Sequence, residues 1–311
     1  MDRIICIVGP TASGKTKLSV ALAQALDAEI VSFDSMQIYR TMDIGTAKPT
    51  LQERGGIVHH MFDVAEPTED FSVSRYVQMA DICVQDILSR GKIAILVGGT
   101  GLYVDSLIAG REFAPYPSTG RREELEKRAA SEGIDAIYRE LCAVDPEAAE
   151  QIHPANQKRV IRALEVYLET GRTISEHNRE TKMHPPKYDP LWIGLDYVNR
   201  KALYARIDRR VEQMLEQGLE QELKDLLARG ISPHATSLQA IGYKELIAYL
   251  QGEGTLQEAV EEIQRSSRRY AKRQRTWFRR NEKINWIELP DEPDFNKIFH
   301  RARQLTAQFD I

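Results

Sequence analysis

Cysteine is scarce in this chain. Cys6, Cys83 and Cys142 are the three present, and no two stand in a CxxC spacing. That excludes a disulfide scaffold and leaves too few thiols for a four-cysteine zinc site. Long hydrophobic runs are missing as well. The stretch from Ile93 to Val104 contains three glycines and is too short to span a bilayer. The first residues, Met1-Asp2-Arg3, five apolar residues and Gly9-Pro10, lack the basic n-region and the h-region length of a signal peptide, so the expected location is the cytoplasm with no membrane partner. No internal repeat and no low-complexity tract is present. What remains is ordinary globular composition over 311 residues. That is enough for one large domain or two, with a core that needs no staples.

The net charge of -4 argues against general polyanion binding, but its distribution does not. Between Arg265 and Lys283 lie nine basic residues, opposed within the segment by Glu282 alone. That segment carries +8, so the rest of the chain carries -12. A basic stripe on an acidic body is a directed field rather than general stickiness.

Ile4 to Val8 is a continuous apolar run ended by Gly9-Pro10, the pattern of a strand buried on both faces. Leu18, Ala21, Leu22, Ala25 and Leu26 then recur on one helical face. Ile30 to Phe33 and Ile93 to Val97 are two further strands. Strands alternating with helices predict an α/β fold with a covered parallel sheet. From Arg111 to Lys187 the pattern changes. Pro115, Pro117 and Gly120 break the chain, charged helical segments follow, and Pro185-Pro186 closes the stretch. Residues 111–187 are therefore a helical insertion in a core formed by 1–110 and 188–311. Leu191 to Leu195 resumes the strands, 200–280 is largely helical with breaks at 230–233 and 252–254, and Trp286 to Leu289 is the last strand.

Gly9-Pro10-Thr11-Ala12-Ser13-Gly14-Lys15-Thr16 matches GxxxxGK[ST], with a strand before it and an amphipathic helix after it. Glycines let the backbone wrap a phosphate so that successive N–H groups converge on it. The helix N-terminus adds its positive end. Lys15 adds a mobile charge, and the Thr16 hydroxyl suits Mg²⁺. The alternative, a plain strand-to-helix turn, does not call for lysine and threonine there. Asp34, with Ser35, Met36 and Gln37, follows the second strand. Strand C-termini face the ligand crevice in such sheets, so Asp34 either faces the bound phosphate compound or serves as a turn or cap aspartate. Val97 is followed by Gly98-Gly99-Thr100-Gly101 where an ordinary NTPase places a metal-binding aspartate, which counts against a standard ATPase. His59 and His60 are adjacent, so on a strand they point to opposite faces and chelate poorly. With Asp63 near, a polar core or loop role is expected, and no zinc.

Taken together, GPTASGKT at 9–16, DSMQIYRTMDIGTAKP at 34–49, VGGTGLY at 97–103, IHPANQKRVIRALE at 152–165, QAIGYKE at 239–245 and RRYAKRQRTWFRR at 268–280 resemble the tRNA isopentenyltransferase (tRNA dimethylallyltransferase) family, in order and over nearly the whole chain. The first block alone is generic; the set is specific. The resemblance implies a core like the P-loop kinases and a helical insertion gripping the tRNA anticodon stem. It implies transfer of a dimethylallyl group from dimethylallyl diphosphate to N6 of the adenosine 3′-adjacent to the anticodon, with Mg²⁺ and without ATP hydrolysis. The end at Ile311 without a Cys/His pattern resembles the bacterial form, and a monomer is expected.

The resemblance also assigns residues. Gly9 to Thr16 would hold the diphosphate, with Mg²⁺ on Thr16. Asp34 matches the aspartate that takes the N6 proton. Asp34, Ser35, Met36 and Gln37 would lie against the adenine. Thr100, Lys158, Arg159, Val160, Ile161 and Arg162 match RNA-contacting positions, as does Arg122, although its surroundings, STGRREEL, depart from the usual spacing. Arg206 and Arg210, in a motif similar to the family's RIxxR helix, are either further diphosphate ligands or an exposed helix face paired with acids such as Glu212. Thr100 has the alternative of a simple turn residue, and Gly98, Gly99 and Gly101 are expected to permit close backbone approach.

On the basic segment, Arg269, Arg273, Thr276 and Arg280 share one helical face, and Arg268, Lys272, Arg275 and Arg279 form the adjacent row. With so few acids in the segment, RNA phosphates are the expected partners. Tyr270 and Trp277 lie on another side and are expected in the core. Two rival functions stand beside the transferase: a small-molecule P-loop kinase using ATP, against which the missing aspartate and the arginine-rich helix argue, and an RNA-binding module with a vestigial loop, against which the intact loop with Asp34 argues.

Overall fold

The structure, a computed structural model, describes residues 1–111, 119–183 and 185–311, apart from the side chains of 181–183. The breaks expected at Pro115 and Pro117 lie outside the described residues. Six strands form one parallel sheet: β1 (Asp2–Val8), β2 (Ala28–Ser32), β3 (His59–His60), β4 (Ile93–Val97), β5 (Tyr188–Tyr197) and β6 (Asn285–Leu289), in spatial order β3-β2-β4-β1-β5-β6. The helices follow in chain order as α1 (Lys15–Leu26), α2 (Val73–Ser89), α3 (Gly101–Ile108), α4 (Arg121–Glu132), α5 (Ile134–Val144), α6 (Pro146–Gln151), α7 (Gln157–Thr170), α8 (Ile174–Met183), α9 (Arg200–Glu216), α10 (Leu219–Ala228), α11 (Tyr243–Leu250), α12 (Leu256–Phe278) and α13 (Phe295–Gln308). None of the described helices is long and apolar enough to cross a membrane.

The central strand β1 has Ile4 to Val8 fully buried, as its unbroken apolar run requires. Ile5 and Ile7 pack on Leu18 and Leu22 of α1, with Leu203 of α9 and Leu305 of α13 in the same cluster. On the opposite face Cys6 lies near Tyr76 of α2, whose ring stacks on Tyr103 of α3 at 4.3 Å. The helix α13 was not anticipated, although Phe295, Ile298, Phe299, Ala302 and Leu305 carry the helical period. α12 begins with a reciprocal capping box between Thr255 and Glu258.

The chain divides into two compact units, Met1–Gly110 with Lys187–Ile311, and Arg111–Pro186. Lys187 belongs to the first: its N–H donates to the Ile108 carbonyl at 2.8 Å and its ammonium pairs with Asp81. Among the described residues the regular elements of the second unit are helices, with Leu125 of α4, Ile137 and Leu141 of α5, and Val160, Ile161 and Leu164 of α7 forming its own core. Buried Asp145 accepts from the Ala148 and Ser175 amides and ties α6 to α8.

Candidate active site

Because every strand of the sheet runs the same way, β1, β2, β4 and β5 all end at one edge. β1 delivers 9–16, β2 delivers Asp34, β4 delivers Gly98 to Thr100, and α12 crosses above them. These segments line a cavity of about 1180 Å³ that also takes Gln37, Arg206, Arg209, Arg210, Tyr270 and Gln274 in its walls.

The phosphate loop is built by its backbone. Gly9 has φ 144°, and a Cβ there would fall 2.3 Å from the Leu195 carbonyl oxygen, so only glycine fits between the first loop residue and β5. Ala12 lies in the left-handed region at φ 63°, a conformation that persists in a non-glycine residue only when its surroundings enforce it. Gly14 caps α1 and Lys15 begins it. The Lys15 ammonium donates to the Pro10 carbonyl at 2.7 Å. Ser13 is buried, and its hydroxyl has no hydrogen-bond partner among the described residues.

Three ionisable groups meet at this loop. Burial pulls Lys15 down to about 7, with the Arg210 charge adding to the shift and Asp34 opposing it. Burial raises the Asp34 carboxyl, opposed by the Met36 and Gln37 amides and by the Lys15 and Arg210 charges. Burial also lowers Arg210, against the attraction of Asp34 and Glu53. Arg206 Nε donates to the Ala12 carbonyl at 3.3 Å and Arg210 reaches the Thr11 hydroxyl at 3.5 Å. Of the two readings open for these arginines, the geometry favours the one that turns them to the phosphate loop.

Asp34 accepts from the Met36 N–H at 2.9 Å, so it is a turn aspartate and a cavity residue at once. Thr100 braces this turn by accepting the Ser35 N–H at 3.1 Å. The Gln37 amide is held by Ser32, Thr46 and Ala47. Two anchors not read from the sequence fix the rest of the segment. Glu222 of α10 accepts the N–H groups of Asp43, Ile44 and Gly45 and the Tyr243 hydroxyl. Buried Lys48 donates to the Tyr39 carbonyl, Asp43 and Asp63. His60 bonds to Glu29 and His59 to the Ile57 carbonyl, which are polar packing roles.

The glycines after β4 permit the close approach expected of them, and the approaching groups are other parts of the protein. A Cβ on Gly99 would sit 1.9 Å from Gln274 Nε2, and one on Gly101 would sit 2.1 Å from the Trp277 ring, so the close approach is that of α12. Tyr270, expected in the core, instead lines the cavity, with its hydroxyl bonded to Thr100 and Gln274. Trp277 packs on Gly101 and donates to Asp105.

The expectation that the basic segment lacks acidic partners is corrected. Asp196, buried at the end of β5, accepts from both Arg275 and Arg279; Asp208 of α9 pairs with Arg268; Glu262 pairs with Arg265. These acids come from the preceding turn or from distant strands and helices, so the local charge count misses them. Arg269, Lys272, Arg273, Thr276 and Arg280 stay exposed along one side. Arg273 stacks on Tyr270 and Arg280 on Trp277, at 5.5 and 4.2 Å from the ring centroids.

In the helical unit, Lys158 and Arg159 are exposed at the start of α7. Arg122 and Arg162 both pair with Glu165. The side chains of Val160 and Ile161, which follow exposed Arg159, are buried in that unit's core.

Comparison with known proteins agrees with this geometry. The family described as IPP transferase matches residues 37–281, and the one described as isopentenyl transferase matches residues 2–62. The chain is 47% identical to the tRNA dimethylallyltransferase of Caldanaerobacter subterraneus subsp. tengcongensis, covering 95% of each protein. It is 50% identical to tRNA dimethylallyltransferase 2 of Geotalea uraniireducens, covering 93% of each. Among solved structures, full-length tRNA isopentenylpyrophosphate transferase from Bacillus halodurans aligns with TM-score 0.75 at 44% identity, over 99% of this chain and 96% of that one. A eukaryotic dimethylallyltransferase seen in crystallographic snapshots acting on tRNA aligns with TM-score 0.83 at 33% identity, over 98% of this chain and 77% of that one. A phosphate loop facing a half-buried aspartate under an arginine-lined helix, in a chain alike over nearly all its length to these enzymes, places the protein in the IPP transferase family.

Proposed function

We propose that this protein transfers the dimethylallyl group of dimethylallyl diphosphate to N6 of the adenosine 3′-adjacent to the anticodon in tRNA and releases diphosphate. The observation that carries this reading is the single cavity wall shared by the phosphate loop, Asp34 and Tyr270. It brings a diphosphate cradle, a proton acceptor and a nucleobase-sized space together.

The adenine amine is a weak nucleophile, so the reaction depends on holding it against the allylic carbon while the diphosphate departs. As the C–O bond to diphosphate breaks and the N6–C bond forms, negative charge grows on the leaving group and N6 becomes acidic. The N–H groups of 12–16, Lys15, Arg206 and Arg210 face the first charge. The Asp34 carboxylate takes the N6 proton, and its raised affinity for protons suits that task. Thr100 and Gln37 fix the turn that presents Asp34, and Glu222 fixes the segment that follows it. The base must leave the anticodon-loop stack to arrive there.

Mg²⁺ fits the residues present in a limited way. Among the described residues no cluster of three acidic, histidine or cysteine side chains could cage a metal. Thr16 lines the cavity at the start of α1, so the ion would rest on its hydroxyl and on the substrate's phosphate oxygens, the usual arrangement for magnesium with a diphosphate. Bound there, it would neutralise the leaving group. The exposed Arg269, Arg273 and Arg280, with Lys158 and Arg159 on the helical unit, are the proposed tRNA contacts.

The test is incubation with unmodified tRNA, Mg²⁺ and labelled dimethylallyl diphosphate without ATP. Label in the tRNA supports the reading, and its absence there overturns it. Lys15→Ala should lower transfer by a few orders of magnitude with tRNA affinity retained.

A further inference from the structure

Gln274 occupies the buried side of the helix whose exposed side carries Arg269, Arg273 and Arg280. Its Oε1 accepts the N–H of Thr11 at 2.8 Å, and its Nε2 donates to the carbonyl of Gly99 at 3.1 Å. Each end of the amide meets a group of one polarity, so reversing it would lose both bonds. Thr11 stands early in the phosphate loop. Gly99 precedes Thr100, which holds Ser35 beside Asp34. One side chain thus spans the donor loop and the loop that braces the acceptor turn. The space it occupies exists only because residue 99 has no Cβ.

We propose that Gln274 is a positioning residue that couples the two substrates: RNA held on the outer side of α12 fixes this amide, which fixes the Thr11 N–H and with it the phosphate loop, so anticodon-loop RNA and diphosphate bind cooperatively. The inference rests on the transferase reading above. Linkage makes the coupling reciprocal, so either ligand's affinity reports it. Gln274 touches no reacting atom in this scheme. Its loss acts through loop geometry and leaves the arginines of the outer side in place.

The experiment titrates the full-length protein with inorganic diphosphate and Mg²⁺ by calorimetry, alone and with saturating unmodified anticodon stem-loop RNA. The wild type is expected to bind diphosphate roughly tenfold tighter in the presence of RNA. Gln274→Met keeps the volume and deletes the bonds to Thr11 and Gly99, together with the one to the Tyr270 hydroxyl. It should bring the ratio to about 1 while RNA affinity and its salt dependence, measured without diphosphate, stay at wild-type values. Gln274→Glu keeps an acceptor for Thr11 but sets a carboxylate against the Gly99 carbonyl. It should lower the ratio too, and it carries the test should the Met variant fail to fold. A wild-type ratio near 1, or a folded variant that keeps the wild-type ratio, overturns the proposal. A wild type that binds neither RNA nor diphosphate would instead strike the transferase reading itself.

Discussion

Raising the pH through the range in which Lys15 loses its proton should weaken diphosphate binding, and the size of the effect follows from the site. Free Lys15 titrates near 7 because burial and Arg210 outweigh the pull of Asp34. A bound diphosphate places negative charge beside the ammonium and raises its proton affinity, so the complex holds the proton that the free protein has lost. Above about pH 7 binding must therefore take up a proton, and apparent affinity falls as pH rises. With a free value of about 7, the dissociation constant should grow about 8-fold between pH 7.5 and 8.5. Calorimetry at pH 8 in two buffers of different ionisation enthalpy should report uptake of about 0.9 proton per diphosphate. Lys15→Arg, charged throughout this range, should flatten the dependence. Asp34→Asn removes the opposing charge, so the uptake should persist. Uptake near zero in the wild type would mean that Lys15 is already protonated in the free loop, and the account of its burial would be wrong.

Asp34→Asn should cut turnover by two or more orders of magnitude with tRNA affinity retained; near-normal turnover across pH would leave Asp34 as a positioning residue only. Replacing Arg269, Arg273 and Arg280 together with Gln should flatten the slope of log affinity for tRNA against log salt by about 2, at ~0.7 per phosphate contact, with diphosphate affinity unchanged. A triple variant that keeps its slope but loses diphosphate binding would assign these three arginines to the donor instead of to RNA. Asp196→Ala leaves Arg275 and Arg279 without their buried carboxylate, but Arg279 is more than half exposed and stays solvated, so the loss should be about 2 kcal/mol, the scale of hydrogen bonds to a charged group. Urea unfolding of the variant measures this, and a change under 1 kcal/mol would show that the two arginines find other partners.

The sequence was most informative where structure is local. The phosphate loop is a run of eight residues whose flanking strand and helix are also local, and Asp34 follows directly from the end of an apolar strand. The buried strands were legible because a strand covered on both faces is apolar without interruption. The arginine-rich helix was legible only in part. Its exposed row follows from helical spacing, but Asp196 and Asp208, which neutralise Arg275, Arg279 and Arg268, lie some sixty residues or more away along the chain. The same holds for Gln274, Glu222 and Lys48. Their work is to hold backbone groups of distant loops, and a glutamine or glutamate on a helix gives no sign of such a bond. The glycines after β4 were legible as places of close approach, which the structure shows, but missing side chains mark a close neighbour without telling whether it is substrate or another helix.

The clasp between Lys187 and Ile108 bears on how such a chain is put together. The helical unit leaves the sheet-bearing unit after Gly110 and returns at Lys187, where the N–H already bonds to a carbonyl two residues before the departure point. Its two ends are thus pinned side by side on the parent fold, like the stem of a hairpin. To the sheet, everything between them is one closed loop, and the entropy of closing a loop rises only with the logarithm of its length. The unit can therefore lengthen, shorten or be exchanged with little effect on strand register, provided this clasp is kept.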